Sequence, residues 1–291
     1  MGSVFDKRCS RVVEMQTKDL SLKKLEKRVK TGTGIEDKIH PVGEIERNLA
    51  LLCYGDQKTG KTVFGCTFPK PLLLIDIVED GDDSVVDVDG VDVLHLREWQ
   101  ELEDAYWYLE RGTQYKSVVL DQLTGLQSLV IRDLKAKKGQ KPDDVFSQRS
   151  YGQLGGLLIE WMKNYKNLIK PTEDREGYHV CFLAHQKRID PQEEDDDRLA
   201  PEVTAALTGS IVSYVLGAVS VIGNQYIRRV KVGKHDYTFE HCMRLVSDYY
   251  RCGIRRPVSA GAAPEYIVDP TFEKIMALSK GETLARRVKK L

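Results

Sequence analysis

No part of this sequence leaves the fold less freedom than the junction at residue 55. An apolar run, Leu49-Ala50-Leu51-Leu52-Cys53-Tyr54, gives way at once to Gly55-Asp56-Gln57-Lys58-Thr59-Gly60-Lys61-Thr62. The first segment reads as a buried strand, and the second fits the phosphate-loop pattern G-x-x-x-x-G-K-[ST]. Gly55 and Gly60 let the backbone curl so that successive N–H groups point inward at phosphate oxygens. Lys61 places an ammonium on the β- and γ-phosphates, and the Thr62 hydroxyl suits Mg²⁺. A helix that starts near Gly60 and carries Val63 in its first turn aims its positive end at the same anion. Residues Gly55 through Val63 are therefore the expected binding site for a nucleoside triphosphate, with Thr62 as a metal ligand.

The chain has 291 residues, enough for one large α/β domain with appendages or for two small ones. Its 44 acidic and 44 basic residues cancel, so no global field draws it to nucleic acid, and any DNA contact must come from local patches. The six cysteines show no C-x-x-C pairing and lie mostly in apolar runs, as reduced thiols of a cytoplasmic protein do. The first residues lack the apolar core of a signal peptide, and no run is long enough to span a bilayer. A membrane role is not expected.

Along the chain, residues 1–46 read as a basic, partly helical arm, with Leu22, Leu25 and Val29 at helical spacing before Thr31-Gly32-Thr33-Gly34. Residues 47–258 alternate strands and helices, as a mostly parallel sheet with crossovers does. Strands are expected at 71–76, 91–96, 117–121 and 179–184, and helices from Trp99 to Gly112, Leu123 to Lys137 and Tyr151 to Ile169. The stretch from Ile211 to Ile222 should run from helix into strand. Tyr226 to Val232 alternates and, with Met243 to Ile254, suggests an antiparallel hairpin region. Residues 259–291 form a C-terminal helical segment, with Asp269 as N-cap and Pro270 at the first helical position.

A phosphate loop of this kind needs a second acid for the Mg²⁺ shell at the end of an apolar strand. Asp121, closing Ser117-Val118-Val119-Leu120-Asp121, fits, although an Asp capping the next helix would look the same. The next residue is Gln122, where many helicases, terminases and the AAA+ class carry a water-activating Glu. Its absence directs attention to another strand end, Asp76-Ile77-Val78-Glu79-Asp80. Glu79 is the first choice for the general base, with Asp76 and Asp80 as competitors. A further strand ends in His185-Gln186, and the Gln186 amide is suited to report a γ-phosphate oxygen. Ligands of open α/β sheets sit at the carboxyl ends of strands, so these ends should converge.

The series of the phosphate loop, Phe68-Pro69-Lys70-Pro71, the acid-ended strand, Val118 through Thr124, Tyr151-Gly152 and His179 to Gln186 resembles the phage-type RecA-like ATPases of single-strand annealing and recombination. The resemblance covers roughly Asn48 to Ile254. It implies a RecA-like core, ATP and Mg²⁺ use, self-assembly as a homo-oligomer in a phage or bacterial cytoplasm, and action on single-stranded DNA, with a single-strand-binding protein as a further partner. Under it Lys61, Thr62, Asp121 and Gln186 match the phosphate ligand, the metal ligands and the sensor. A neighbour's basic residue would reach the γ-phosphate, and Arg251 in Tyr250-Arg251-Cys252-Gly253 ranks first for it. Two departures stand out. The D-x-E element is one residue longer here, and Glu193 to Asp197 places acids where recombinases have a DNA-contacting loop. DNA contact would then fall to Lys135, Lys137, Lys138 and Lys141 or to the arm. A nucleotide-switched interaction module without turnover and a small-molecule or nucleotide kinase are the alternatives.

Overall fold

In a computed structural model, residues 48–77, 81–190, 202–233 and 236–284 are described. Among the described residues ten strands form one sheet, and the fully buried ones lie at its centre. The strands are β1 (Ala50–Gly55), β2 (Leu72–Ile77), β3 (Val91–Leu96), β4 (Ser117–Asp121), β5 (His179–Ile189), β6 (Glu202–Ala205), β7 (Val221–Lys231), β8 (Tyr237–Arg244), β9 (Gly253–Ile254) and β10 (Tyr266–Val268). The order is β10-β8-β7-β1-β5-β4-β2-β3, with β6 on β5 and β9 on β7. From β3 through β7 every neighbouring pair is parallel, whereas β8, β10, β6 and β9 pair antiparallel. This is the expected α/β arrangement, a mostly parallel sheet flanked by helices with an antiparallel hairpin region towards the C-terminus.

Side-chain alternation assigns each strand residue to one of two layers. Leu51, Cys53, Leu72, Leu74, Val119, Cys181, Leu183 and Met243 face α1 (Lys61–Gly65) and α6 (Phe272–Ser279). Leu52, Tyr54, Leu73, Ile75, Val118, Leu120, Phe182 and Ala184 face the longer helices α2 (Trp99–Glu110), α3 (Leu123–Lys137), α4 (Gln148–Asn167) and α5 (Gly209–Ala218). Strands buried on both faces are continuous apolar runs for this reason. The caps are local. Glu101 Oε2 accepts the N–H groups of Arg97 and Glu98 at the start of α2, which holds its carboxyl below the usual range. Ser147 Oγ accepts from the Ser150 N–H at the start of α4.

Three sequence expectations are corrected. The partner of the Tyr226–Val232 strand is Tyr237–Arg244, not Met243–Ile254. A short turn suffices between antiparallel neighbours, so the nearer alternating run wins the pairing. Within residues 259–284 the chain is not simply helical, because Tyr266–Val268 adds an edge strand to β8. Asp269 does not cap the last helix. It has φ 46, and Thr271 Oγ1 takes the capping bond from Lys274 N–H, while Lys274 Nζ donates to the Val268 and Asp269 carbonyls. The expected arm (1–46), Glu79 and Asp80, and the acidic run Glu193–Asp197 lie outside the described residues.

Candidate nucleotide site

The loop between β1 and α1 is held open by backbone conformation. Gly60 sits at φ 89, a region L side chains rarely adopt. A Cβ at Gly55 would lie 2.2 Å from the Gln225 carbonyl oxygen, so only glycine lets β7 approach the start of the loop. The α1 helix begins directly at Lys61, and Phe64 N–H donates to Gly60 O at 2.9 Å.

Lys61 and Thr62 each have a defined partner. Lys61 is 7% exposed, and its Nζ donates to the Gly55 and Asp56 carbonyls at 3.2 and 2.7 Å. Its ammonium is therefore folded into the curl of the loop, where a phosphate oxygen would exchange for those carbonyls. Thr62 Oγ1 donates to Asp121 Oδ2 at 2.5 Å, joining the first turn of α1 to the end of β4. Asp121 is 8% exposed and lies in register with Asp76, which is 1% exposed and accepts from His95 Nδ1 at 3.2 Å. Both acids follow the α1-facing rows, Leu72 and Leu74 in β2 and Val119 in β4. Of the strand-end acids considered from sequence, Asp76 thus lies beside Asp121.

Two residues absent from the sequence reading support the loop from the side. Gln225 on β7 donates from Nε2 to Thr59 O at 3.0 Å and accepts from Cys53 Sγ at 3.2 Å. His241 on β8 donates from Nδ1 to the same carbonyl at 3.0 Å. Thr59 Oγ1 in turn donates to Asp56 O at 2.9 Å. Burial, with Asp121 adding and Lys61 opposing, pushes the Cys53 thiol up to about 12, so it stays a protonated donor.

The β5 end divides between the two faces. His185, in register with Gly55, accepts at Nε2 from Gln122 Nε2 at 2.6 Å. Gln186 follows the row of Phe182 and Ala184, and its Oε1 accepts from Asn224 Nδ2 at 3.1 Å. Asn224 Oδ1 accepts from Arg244, whose guanidinium stacks on Tyr226 and Tyr250. Gln186 is therefore held on the face away from Lys61. Arg251 pairs with Glu202 on β6, and its backbone N–H donates to Val203 O. Neither Gln186 nor Arg251 contacts the loop within this chain. Lys135, Lys137 and Lys138 are engaged locally, with the Pro142 and Asp144 carbonyls, Asp133, and Ser150 and Gln153. No described helix is long and apolar enough to cross a membrane.

No curated protein matches the sequence. Among solved structures, the flagellar accessory protein FlaH from Methanocaldococcus jannaschii is similar with a TM-score of 0.38 and 9% identity, over 78% of this chain and 87% of that one. Residues 47–247 match the protein-family model described as an AAA domain, a span that holds the whole phosphate loop, Asp76, Asp121, Gln225 and His241. Within that span the residue after Asp121 is Gln122. The chain belongs to the AAA-domain family of P-loop nucleotide-binding proteins.

Proposed function

We propose that the protein hydrolyses ATP with Mg²⁺ and couples turnover to single-stranded DNA in recombination or annealing. One observation supports the hydrolytic part above the others: the Thr62 hydroxyl and Asp121 carboxylate meet at 2.5 Å beside a buried Lys61. Among the described residues no cluster of three or more His, Cys, Asp or Glu is placed to hold a metal. One hydroxyl and one carboxylate, completed by phosphate oxygens and water, suit Mg²⁺, which prefers such mixed shells. When bound there it neutralises charge on the phosphates.

This chain's residues would then do the rest. The loop N–H groups and Lys61 hold the β- and γ-phosphates and stabilise charge that grows on them. Glu79, just beyond buried Asp76, takes the proton of the attacking water. Arg251 reaches a neighbouring subunit's γ-phosphate in a homo-oligomer. The DNA part rests on the order of sequence elements alone. The test is ATP turnover of the full chain and of Lys61→Ala, with and without single-stranded DNA, at low and moderate salt. DNA-stimulated turnover lost in Lys61→Ala supports the reading. Binding without turnover would favour a nucleotide switch, and turnover only with a small acceptor would favour a kinase.

A further inference from the structure

Beyond the loop, β7 and β8 continue as a two-stranded ribbon with unlike faces. Directly opposed residues share a face, so Ile227 and His241, Arg229 and Phe239, and Lys231 and Tyr237 form one row each. All six are exposed, Phe239 at 68%, Tyr237 at 47% and Ile227 at 43%. The Arg229 guanidinium lies 3.7 Å over the Tyr237 ring. None of the six carries a carboxylate. The reverse face does carry one, Glu240, but Arg228 holds it at 2.7 Å. The cationic-aromatic face is continuous with the nucleotide site, because His241 and Gln225, two residues before Ile227 on β7, both donate to Thr59 O.

We propose that this ribbon face binds single-stranded DNA, an inference that rests on the DNA role in the reading above. Arg229 and Lys231 supply charge for the phosphate backbone, while Phe239 and Tyr237 offer flat apolar surfaces to unstacked bases. Sequence-tolerant single-strand binding combines these two elements. An exposed phenylalanine between cations fits a base better than it fits water. Strand engagement would bear on Thr59 through His241 and Gln225, which gives DNA a direct line to the loop that holds the phosphates.

The test is fluorescence anisotropy of a labelled oligo-dT with the full chain at 50 and 200 mM salt, values chosen to expose counterion release. Phe239→Ala with Tyr237→Ala should weaken binding about tenfold or more, the range expected for lost stacking. Arg229→Glu with Lys231→Glu should weaken it and flatten the salt dependence. Phe239→Tyr should retain it, and basal ATP turnover should be unchanged in all of these, which also shows that they fold. A wild-type chain that binds no DNA would sink the DNA reading itself. Wild-type binding that survives every ribbon variant would overturn the ribbon assignment alone. So would ribbon variants that bind DNA normally but lose oligomeric mass in sedimentation, which would make the face a contact between copies of this chain.

Discussion

At the C-terminal end of β1 the two faces of the sheet carry equally polar clusters with opposite characters. On the α1 face, Lys61, Gln225 and His241 donate to carbonyls of the loop, and Thr62 and Asp121 bond to each other beside it. On the other face, Tyr54, Gln186, Asn224 and Arg244 bond to one another and to the backbone, and two aromatic rings cover the guanidinium. The first cluster holds groups that a phosphate can exchange for without breaking the fold. The second is closed on itself, a buried network whose members are costly to remove singly. Proximity to the strand ends is therefore not enough to mark a reacting group; the face decides.

Substitutions on the two faces should separate accordingly. Lys61→Ala is expected to reduce ATP turnover about a thousandfold, the scale of losing a main charge-stabilising donor. Steady-state phosphate release measures it, and turnover within threefold of wild type would break the comparison. Asp121→Asn should lower turnover about 10- to 100-fold and raise the Mg²⁺ concentration needed for half-maximal rate. A Mg²⁺ titration reads this, and an unchanged midpoint would return Asp121 to helix capping.

The supporting residues sharpen the same contrast. Gln225→Leu leaves Thr59 O with one donor fewer and should weaken ATP binding while costing about 1–2 kcal/mol of stability. Arg244→Met should cost a similar amount of stability, measured by denaturant unfolding, with ATP affinity held within about twofold. If both variants lose affinity equally, the faces are not distinct.

The smallest effect concerns the far end of β5. His179 Nδ1 accepts the Leu49 N–H at 2.9 Å, and the ring lies against Phe272. Burial lowers its pKa from 6.5 to about 4, so the folded state resists protonation that the unfolded chain accepts. Stability from this group is full above pH 6.5, falls as the pH drops from there to about 4, and is constant below. With its partial exposure allowed for, the loss is about 1–2 kcal/mol. His179→Asn, which keeps an acceptor but does not titrate, should show a shallower decline of unfolding midpoint between pH 7 and 5. Parallel declines would place the pH sensitivity elsewhere.

Much of the core was legible because burial dictates it. β1, β2, β4 and the start of β5 are apolar runs that only a doubly covered strand accommodates, and α3 occupies the span its periodicity predicted. The nearness of Asp121 to the loop was legible because phosphate and Mg²⁺ chemistry would restrict residue types there, and the structure brings Asp121 to Thr62. The β7–β8 pairing was misjudged because both strands are half-exposed, so their apolar signal is weak. Gln225 and His241 were invisible for a different reason. Their role depends on β7 lying beside β1 and β8 beside β7, a long-range pairing that spacing along the chain does not encode. Gln186 was read as a strand end, but β5 runs on to Ile189, and a single residue of alternation turns the side chain from the loop towards Asn224.

The account stands most directly on calorimetric titration of Mg²⁺·ATP into the full wild-type chain, Lys61→Ala and Gln186→Ala. It predicts binding by the wild type, loss of measurable binding in Lys61→Ala, and affinity within a few-fold of wild type in Gln186→Ala. Undiminished binding by Lys61→Ala, or its loss only in Gln186→Ala, would contradict it.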